Sequence, residues 1–345
     1  MLSPVSEKPL LVAASGKRAP HIPCWFMRQA GRALPEFREL KRQHTFWDLC
    51  LDPELSARIT LMPVEAFDVD AAIIFADLVS PLIETDLKFE LVEGAGPKFV
   101  NPVDTPSRIS AIPHLVSDRV AEALRTEVML VKQRLPEQKA LLGFVAAPFT
   151  LACYLIQGQA SRDFEYAKAF GYKDPKAWDE LLERLTSLLI NYVEIQIDAG
   201  VEAIQVFDSW AGAVTVDYYR RFVKTYTHRL VKAIQSRGVP VIHFSTGSLH
   251  LLMDILEVKP NVIGLDWRVP LDLAINTISP DIAIQGNMDP SALLAGWEAA
   301  YEEALKILTI AGQRPGYIFS LGHGIYPQTD PRVIADLVSF VHNYR

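Results

Sequence analysis

Eight short apolar runs, spread over the whole chain, constrain the fold more than any other feature. Each run ends at a small or polar residue, and most are followed by a stretch with the pattern of a helix. Runs that are apolar throughout, rather than alternating, are typical of strands buried on both faces of a parallel sheet. The runs are Ile22–Met27, Asp70–Ala76, Ala140–Ala147, Val201–Phe207, Pro240–Phe244, Val262–Leu265, Ile282–Gln285 and Tyr317–Leu321.

Six stretches between these runs carry apolar residues at three- and four-residue spacing, which indicates amphipathic helices. Gly200 and Gly238 follow two of them and fit C-terminal caps. The predicted helices are Leu115–Leu135, Ala177–Ala199, Val216–Arg237, Ser248–Val258, Ser291–Ala311 and Pro331–Tyr344. Eight parallel strands alternating with helices predict an α/β fold of the (β/α)8 TIM-barrel type.

A doubly wound open sheet is the main structural alternative. No G-x-G-x-x-G sequence follows any of the runs, which argues against it. The chain shows no linker and no internal repeat, so we expect a single domain over residues 1–345. Proline and glycine are dense in residues 81–113, after the second strand, and we expect a hairpin or loop insertion there with Lys88–Val92 as one strand.

Composition excludes several kinds of partner. Half of the 345 residues are hydrophobic, enough for a sizeable core. The net charge of −7 argues against a nucleic acid or an acidic membrane as the main partner. The three cysteines form no C-x-x-C pair, and no signal peptide or membrane-spanning run is evident, so we expect a cytoplasmic protein. No metal site is predicted, because His243, His250 and His323 lack ligand spacing.

An anion site is predicted directly after the first run. Arg28 and Arg32 bracket a short Gln-Ala-Gly segment that allows the backbone to turn. Each guanidinium can hold a carboxylate or phosphate through two parallel hydrogen bonds. The alternative is that acidic neighbours neutralise both arginines. Three further basic residues favour the anion site: Arg38, Lys41 and Arg42.

Residues at the carboxyl ends of the runs are the other candidates, because active sites of (β/α)8 barrels lie there. Asp77 follows the most apolar run, where a carboxylate is costly unless paired. It suits a ligand with donors at its centre and acids at its rim. Three of the candidates also have a purely structural alternative. Asp77 could cap a helix or pair with Arg28, Tyr154 could pack in the core, and His323 could be an ordinary loop residue. The whole set is Arg28, Arg32, Asp77, Tyr154, Asp208, Ser209, Asp266, Asn287 and His323.

Six sequence blocks resemble the uroporphyrinogen decarboxylase family, and the similarity runs from Arg18 to the C-terminus. Six blocks in the same order are highly specific, although each one after the first is modest evidence alone. They are Pro23–Arg32 with Leu34–Arg38, Ala71–Asp77, Gly143–Leu151 with Tyr154 and Gly158, Gly264–Trp267, Gly286–Pro290, and Leu321–Ile325.

The resemblance implies a (β/α)8 barrel, usually a homodimer, that works without a metal or organic cofactor. It implies decarboxylation of the four acetate side chains of uroporphyrinogen III to give coproporphyrinogen III, a step of haem biosynthesis. The tetrapyrrole would then be the ligand of the anion site.

The resemblance also implies roles for single residues. Asp77 matches the aspartate that accepts hydrogen bonds from the pyrrole N–H groups and stabilises the protonated pyrrole, and Arg28 is the second catalytic candidate. Lys41 stands where some members carry an arginine, and a lysine cannot reproduce the planar fork. The implied substrate contacts are Arg28, Gln29, Ala30, Gly31, Arg32, Asp77, Tyr154, Ser209 and His323.

Two other functions remain open from the sequence. A cobalamin- or homocysteine-using methyltransferase shares the barrel architecture, but Cys24, Cys50 and Cys153 are badly placed for its zinc site. A tetrapyrrole carrier would keep the pocket without the chemistry, and the presence of both Arg28 and Asp77 argues against it.

Overall fold

The computed structural model describes residues 8–92, 96–311 and 314–344, and its centre is a seven-stranded parallel sheet. The strands in chain order are β1 Ala71–Ile73, β2 Phe89–Val92, β3 Gly96–Phe99, β4 Ala140–Ala146, β5 Ala203–Phe207, β6 Val241–Phe244, β7 Val262–Gly264, β8 Ala283–Gln285 and β9 Tyr317–Ile318. The sheet order is β1-β4-β5-β6-β7-β8-β9, so successive strands of the sheet are neighbours. Seven of the eight predicted strands are thereby confirmed, several in shorter form.

Helices connect the strands and cover the sheet. They are α1 Pro9–Ala14, α2 Pro35–Gln43, α3 Phe46–Leu51, α4 Pro53–Phe67, α5 Pro106–Ser110, α6 Asp118–Arg134, α7 Pro148–Gln157, α8 Glu165–Lys173, α9 Pro175–Ala199, α10 Val216–Phe222, α11 Lys224–Ser236, α12 Leu252–Glu257, α13 Leu271–Thr277, α14 Ser291–Leu294, α15 Trp297–Ala311 and α16 Pro331–Asn343. Gly200 ends α9 in a left-handed conformation (φ 113°), as predicted. No helix among the described residues is both long and apolar enough to cross a membrane.

The first apolar run is not a regular strand, contrary to the prediction. Only Cys24 forms a bridge, parallel to Phe319. The Phe319 N–H donates to the Pro23 carbonyl (2.9 Å), and the Asp70 N–H donates to the Cys24 carbonyl (2.8 Å). Pro23 has no N–H to give to a ladder, which limits regular pairing here. The segment is nevertheless hydrogen-bonded both to the residue after β9 and to the residue before β1, the two edge strands of the sheet.

Three predicted helices are divided. The stretch Val216–Arg237 forms α10 and α11, which part at Val223. The Trp178 indole N–H donates a hydrogen bond to the Phe222 carbonyl (3.0 Å), which competes with the helical hydrogen bonds at this point. Gly296, with φ of 101°, separates α14 from α15, and the predicted helix over 248–258 begins with a 3₁₀ turn at Leu249–Leu251 before α12.

A separate antiparallel pair lies within residues 81–113. Strands β2 and β3 pair from Phe89 opposite Phe99 to Val92 opposite Gly96. The strand predicted over Lys88–Val92 is therefore present as β2, while residues 93–95 lie outside the described residues.

Side chains from two helices support the backbone where β1 and β4 separate. The last ladder bond joins the Ile74 N–H to the Leu142 carbonyl (3.0 Å). Beyond it, the Phe75 N–H donates to Glu127 of α6 (2.9 Å). Gln196 of α9 accepts from the Phe144 N–H (2.9 Å) and donates to its carbonyl (3.0 Å). Buried backbone groups thus stay paired while the two chains diverge toward Asp77.

A substitution at Gly143 tests whether Gln196 supports the backbone in this way. A Cβ there would overlap with Oε1 of Gln196 and would come within 2.8 Å of Cδ1 of Ile204. We expect Gly143→Ala to lower the free energy of unfolding by about 1–3 kcal/mol. In a Gln196→Ala background the same change should cost less, because the amide is gone. Denaturant unfolding of all four proteins measures the coupling, and an equal cost in both backgrounds would contradict this explanation.

Candidate active site

The loop after Met27 is anchored by the side chain of Gln29. Gln29 is fully buried, accepts from the Phe26 N–H (2.9 Å) and donates to the Ala71 carbonyl of β1 (2.8 Å). Arg28 next to it has φ of 59°, a left-handed conformation that few non-glycine residues adopt. The Gln29 side chain thus holds the loop on the sheet, and only its backbone is left for the predicted role at the ligand.

Two glycines make room for Arg28. A Cβ at Gly31 would come within 2.9 Å of the Arg28 carbonyl oxygen, and a Cβ at Gly324 would come within 2.7 Å of its Cγ. The Ile325 N–H donates to the Met27 carbonyl (3.0 Å). The loop after β9 therefore carries the aliphatic part of Arg28, while the Arg28 side chain as a whole remains exposed.

Asp77 follows β1 and lies within electrostatic reach of Arg28. Its N–H donates to Ser80 Oγ (2.9 Å), and its Oδ1 accepts from the Val79 N–H (3.1 Å). Burial raises the pKa of the Asp77 carboxyl above its usual value, while the Val79 hydrogen bond and the Arg28 charge act in the opposite direction. The carboxyl therefore caps a turn, rather than a helix as the alternative interpretation expected, and it feels the charge of Arg28.

Tyr154 projects from α7 into the same environment. Its ring contacts Trp210 and Phe164 edge to face, with centroids 5.9 and 6.3 Å away. Burial and the negative charge of Asp77 raise the pKa of Tyr154 to about 12. The hydroxyl is therefore protonated at neutral pH and available as a hydrogen-bond donor.

His323 joins the group from the loop after β9. Its ring packs edge to face on Trp267, with the centroids 5.7 Å apart. Burial, and then the positive charges of Arg28 and Arg268, lower the pKa of His323 to about 4. The imidazole is neutral at neutral pH, so it can donate a hydrogen bond but adds no positive charge. Arg28 influences the pKa of His323, of Tyr154 and of Asp77, so these four residues lie within electrostatic reach of one another.

The other predicted contacts lie on loops around this group. Ser209 is half-buried; its carbonyl accepts from Thr246 Oγ1 (2.6 Å), and its neighbour Trp210 packs on Tyr154. Arg32 and Lys41 are both half-buried, Arg32 in the Arg28 loop and Lys41 on α2. Ala30 is half-buried between the two arginines of the loop. Their substrate contacts stay predictions.

Three strand-end candidates position loops instead. Asp208 is fully buried and accepts from Thr150 Oγ1 (3.2 Å). The buried Asp266 accepts from the Arg268 N–H (2.7 Å), and its carbonyl accepts from the Asn287 amide (2.8 Å). We assign these side chains to the support of the loops that carry Ser209 and His323.

Sequence reasoning missed an aromatic wall formed by Phe144, Phe207 and Phe244. Their rings contact edge to face along β4, β5 and β6, with centroid distances of 5.7 and 6.2 Å. Gly143 faces α9, so its neighbour Phe144 points to the opposite face of the sheet. A phenylalanine near the end of three successive runs was the available signal. The three rings form an apolar cluster on the face of the sheet opposite to α9.

Comparison with known proteins shows the family to which the chain belongs. The family model described as "Uroporphyrinogen decarboxylase (URO-D)" matches residues 6–344. This chain belongs to the uroporphyrinogen decarboxylase family. It is 43% identical over 347 residues to "Uroporphyrinogen decarboxylase" of Mycolicibacterium paratuberculosis and 42% identical over 342 residues to that of Rhodococcus erythropolis. Each match covers 98% of this chain and 96% of the relative.

Solved structures of other proteins have a similar fold. A methyltransferase from Methanosarcina mazei superposes with a TM-score of 0.76 at 16% identity, over 98% of both chains. A putative vitamin-B12-independent methionine synthase from Listeria monocytogenes gives 0.56 at 10% identity, over 94% of this chain and 97% of the other. At such identities the likeness concerns the fold alone, and it agrees with the predicted α/β class.

The electrostatic grouping can be tested by removing the arginine charge. We expect Arg28→Gln to raise the pKa of Asp77 further and to move the pKa of His323 from about 4 upward, because a nearby cation no longer favours the ionised acid and the neutral imidazole. NMR titration of the carboxyl and imidazole resonances measures both.

Arg42→Gln is the matched control, because Arg42 is exposed and pairs with Glu39 on α2 (2.7 Å). Unchanged titration of both groups in Arg28→Gln, or the same shifts in the control, would show that Arg28 does not act on them directly.

Proposed function

We propose that this protein removes the four acetate carboxyl groups of uroporphyrinogen III, releasing coproporphyrinogen III and four molecules of carbon dioxide. The carrying observation is the half-buried Asp77 carboxyl within electrostatic reach of Arg28, in a chain of the uroporphyrinogen decarboxylase family. The grouping supports catalysis rather than carriage, because a tetrapyrrole carrier needs no buried acid that responds to developing charge.

The substrate has the charge pattern that such a site favours. Uroporphyrinogen carries eight carboxylates at its rim and four pyrrole N–H donors at its centre. In the proposal Arg28 and Arg32 hold rim carboxylates, and Asp77 accepts the central N–H groups. Each charge-assisted hydrogen bond contributes about 1.5–3 kcal/mol, which offsets repulsion by a chain of net charge −7. The macrocycle would lie along Phe144, Phe207 and Phe244.

The proposed chemistry uses the substrate itself as the electron sink. Protonation of a pyrrole carbon makes the ring cationic, and Asp77 stabilises this cation. The bond between the acetate methylene and its carboxylate then breaks, carbon dioxide leaves, and the electron pair neutralises the ring. A proton adds to the resulting methylene carbon and the ring proton is lost, so each acetate becomes a methyl group. In this scheme Arg28 orients the carboxylate that departs.

Tyr154 and His323 act as neutral donors in this scheme. Tyr154, with a pKa of about 12, keeps its proton and can donate to a substrate oxygen. His323, with a pKa of about 4, is uncharged and can donate through one ring nitrogen. Ser209 supplies a further hydroxyl. Gln29, Ala30 and Gly31 contribute backbone groups.

The proposal includes the architecture predicted from the sequence. The sheet would close into a (β/α)8 barrel as one domain, with residues 81–113 as an insertion. The first apolar run, Ile22–Met27, would fill the place between β9 and β1 and bring the number of strands to eight. The hydrogen bonds of Pro23 and Cys24 to both sheet edges support closure. In the proposal the protein is a homodimer without cofactor, as the family resemblance implies, and is cytoplasmic, as the cysteine content suggests. Sedimentation of the purified protein tests the dimer.

Direct assay tests the reaction. Purified protein incubated without oxygen with uroporphyrinogen III should yield products with fewer carboxyl groups, identified by chromatography after oxidation to porphyrins. Tight binding with an unchanged carboxyl count would indicate a carrier, and absence of both binding and turnover would exclude the proposed substrate.

Asp77→Asn tests the acid. We expect normal folding with turnover reduced by about 100-fold or more, as when one preorganised charge-stabilising group is lost. Asp86→Asn is the matched control, because Asp86 is exposed nine residues further along and should tolerate the change. Steady-state kinetics of both variants, with circular dichroism as the folding check, gives the answer. Near-normal turnover in Asp77→Asn would remove this residue from the mechanism.

A further inference from the structure

Two histidines converge on one buried carboxylate at the end of the sheet opposite to the candidate active site. Asp70 immediately precedes β1 and is 1% exposed. His21 Nε2 lies 2.9 Å from its Oδ1, and His342 Nε2 lies 2.8 Å from its Oδ2. Because Asp77 follows the same strand, the two sites are separated by the length of β1.

The atoms around Asp70 form a compact donor set. One nitrogen of His21, one of His342 and a carboxylate oxygen of Asp70 all lie within 4.8 Å of one another, and this is the one such group among the described parts of the chain. The Cys24 sulfur lies 3.6 Å from His342 Nε2, and the Cys24 N–H donates to Asp70 (2.7 Å). Two imidazoles and a carboxylate are ligand types that zinc takes, with a water molecule completing the tetrahedral site.

We propose that His21, Asp70 and His342 form a binding site for one divalent transition metal ion of the zinc type, with a water molecule as the fourth ligand. On binding, each imidazole would carry its proton on Nδ1 and present the Nε2 lone pair. Metal–ligand distances of about 2.0–2.2 Å would replace the present hydrogen bonds, so each imidazole nitrogen would move slightly away from the carboxylate to admit the ion.

Access and charge both permit an ion at this position. The side chains of His21 and His342 are 32% and 17% exposed, so the group lies close to the protein surface. The Asp70 carboxylate supplies negative charge. Lys139 is the competing cation, with its Nζ 3.9 Å from Asp70 Oδ1, but Asp68 holds it more closely at 2.6 Å.

The role of the ion would be structural. It would join three segments that are remote in sequence: the segment before the Cys24 bridge, the residue before β1, and α16 close to the C-terminus. An ion that binds the folded chain and not the unfolded chain stabilises the fold by mass action. The site is separate from Arg28 and Asp77, so the proposal does not depend on the reaction.

Metal titration of the full-length protein tests the site. After chelator treatment and dialysis, we expect one zinc ion per chain by elemental analysis and a higher melting temperature in zinc. His21→Gln and His342→Gln should each reduce the affinity at least tenfold and lose the thermal shift. His250→Gln, which removes an exposed histidine elsewhere, should behave like the parent protein. No stoichiometric uptake, or uptake that both Gln variants leave unchanged, would overturn the proposal.

Cobalt provides a spectroscopic readout of the ligand set. Co²⁺ in the same site should show the d–d bands of a tetrahedral complex with nitrogen and oxygen ligands and no thiolate charge-transfer band. Cys24→Ser should leave this spectrum unchanged, with bound cobalt confirmed by elemental analysis. An octahedral spectrum, or a thiolate band that Cys24→Ser removes, would contradict the assigned ligand set.

Discussion

The electrostatic influence of Arg28 on the half-buried acid Asp77 is the interaction on which the candidate site depends. Burial alone makes the charged form of Asp77 costly, and the Arg28 charge and the Val79 hydrogen bond counter that cost. Arg28 also shifts His323 toward its neutral form. One cation thus influences both an acid and an imidazole. In the proposed function the arginines form a positive rim around the acid, an arrangement complementary to a macrocycle with acids outside and N–H groups inside.

The scaffold around the pair explains how it is held. Strands β1 and β4 part just before Asp77, and Glu127 and Gln196 take over the backbone groups that the sheet no longer pairs. Gln29 fixes the Arg28 loop to β1. The Arg28 stem lies on Gly324, where a methyl group would collide with it. The support is built from buried amides, one carboxyl and glycine, so the loop that carries Arg28 rests on groups with little freedom to move.

Much of this arrangement could be predicted from sequence, and the exceptions have physical causes. Strands buried on both faces appear in the sequence as continuous apolar runs, and seven of the eight predicted strands are present for this reason. Helix α7 was missed because nearly all of its residues are buried, which removes the helical period. Residues at carboxyl ends of parallel strands must meet, which predicted the grouping of Arg28, Asp77 and His323. The group at Asp70 was missed because its two histidines lie near opposite ends of the chain, and only the fold joins them.

The relation between Asp77 and the macrocycle is the most direct test. A crystal structure of the protein with coproporphyrinogen bound would give the distances from the Asp77 carboxylate to the pyrrole nitrogens. We expect hydrogen-bond distances of about 2.7–3.2 Å, with rim carboxylates directed toward Arg28. A macrocycle bound elsewhere, or bound with its nitrogens turned away from Asp77, would contradict the proposed mode of recognition.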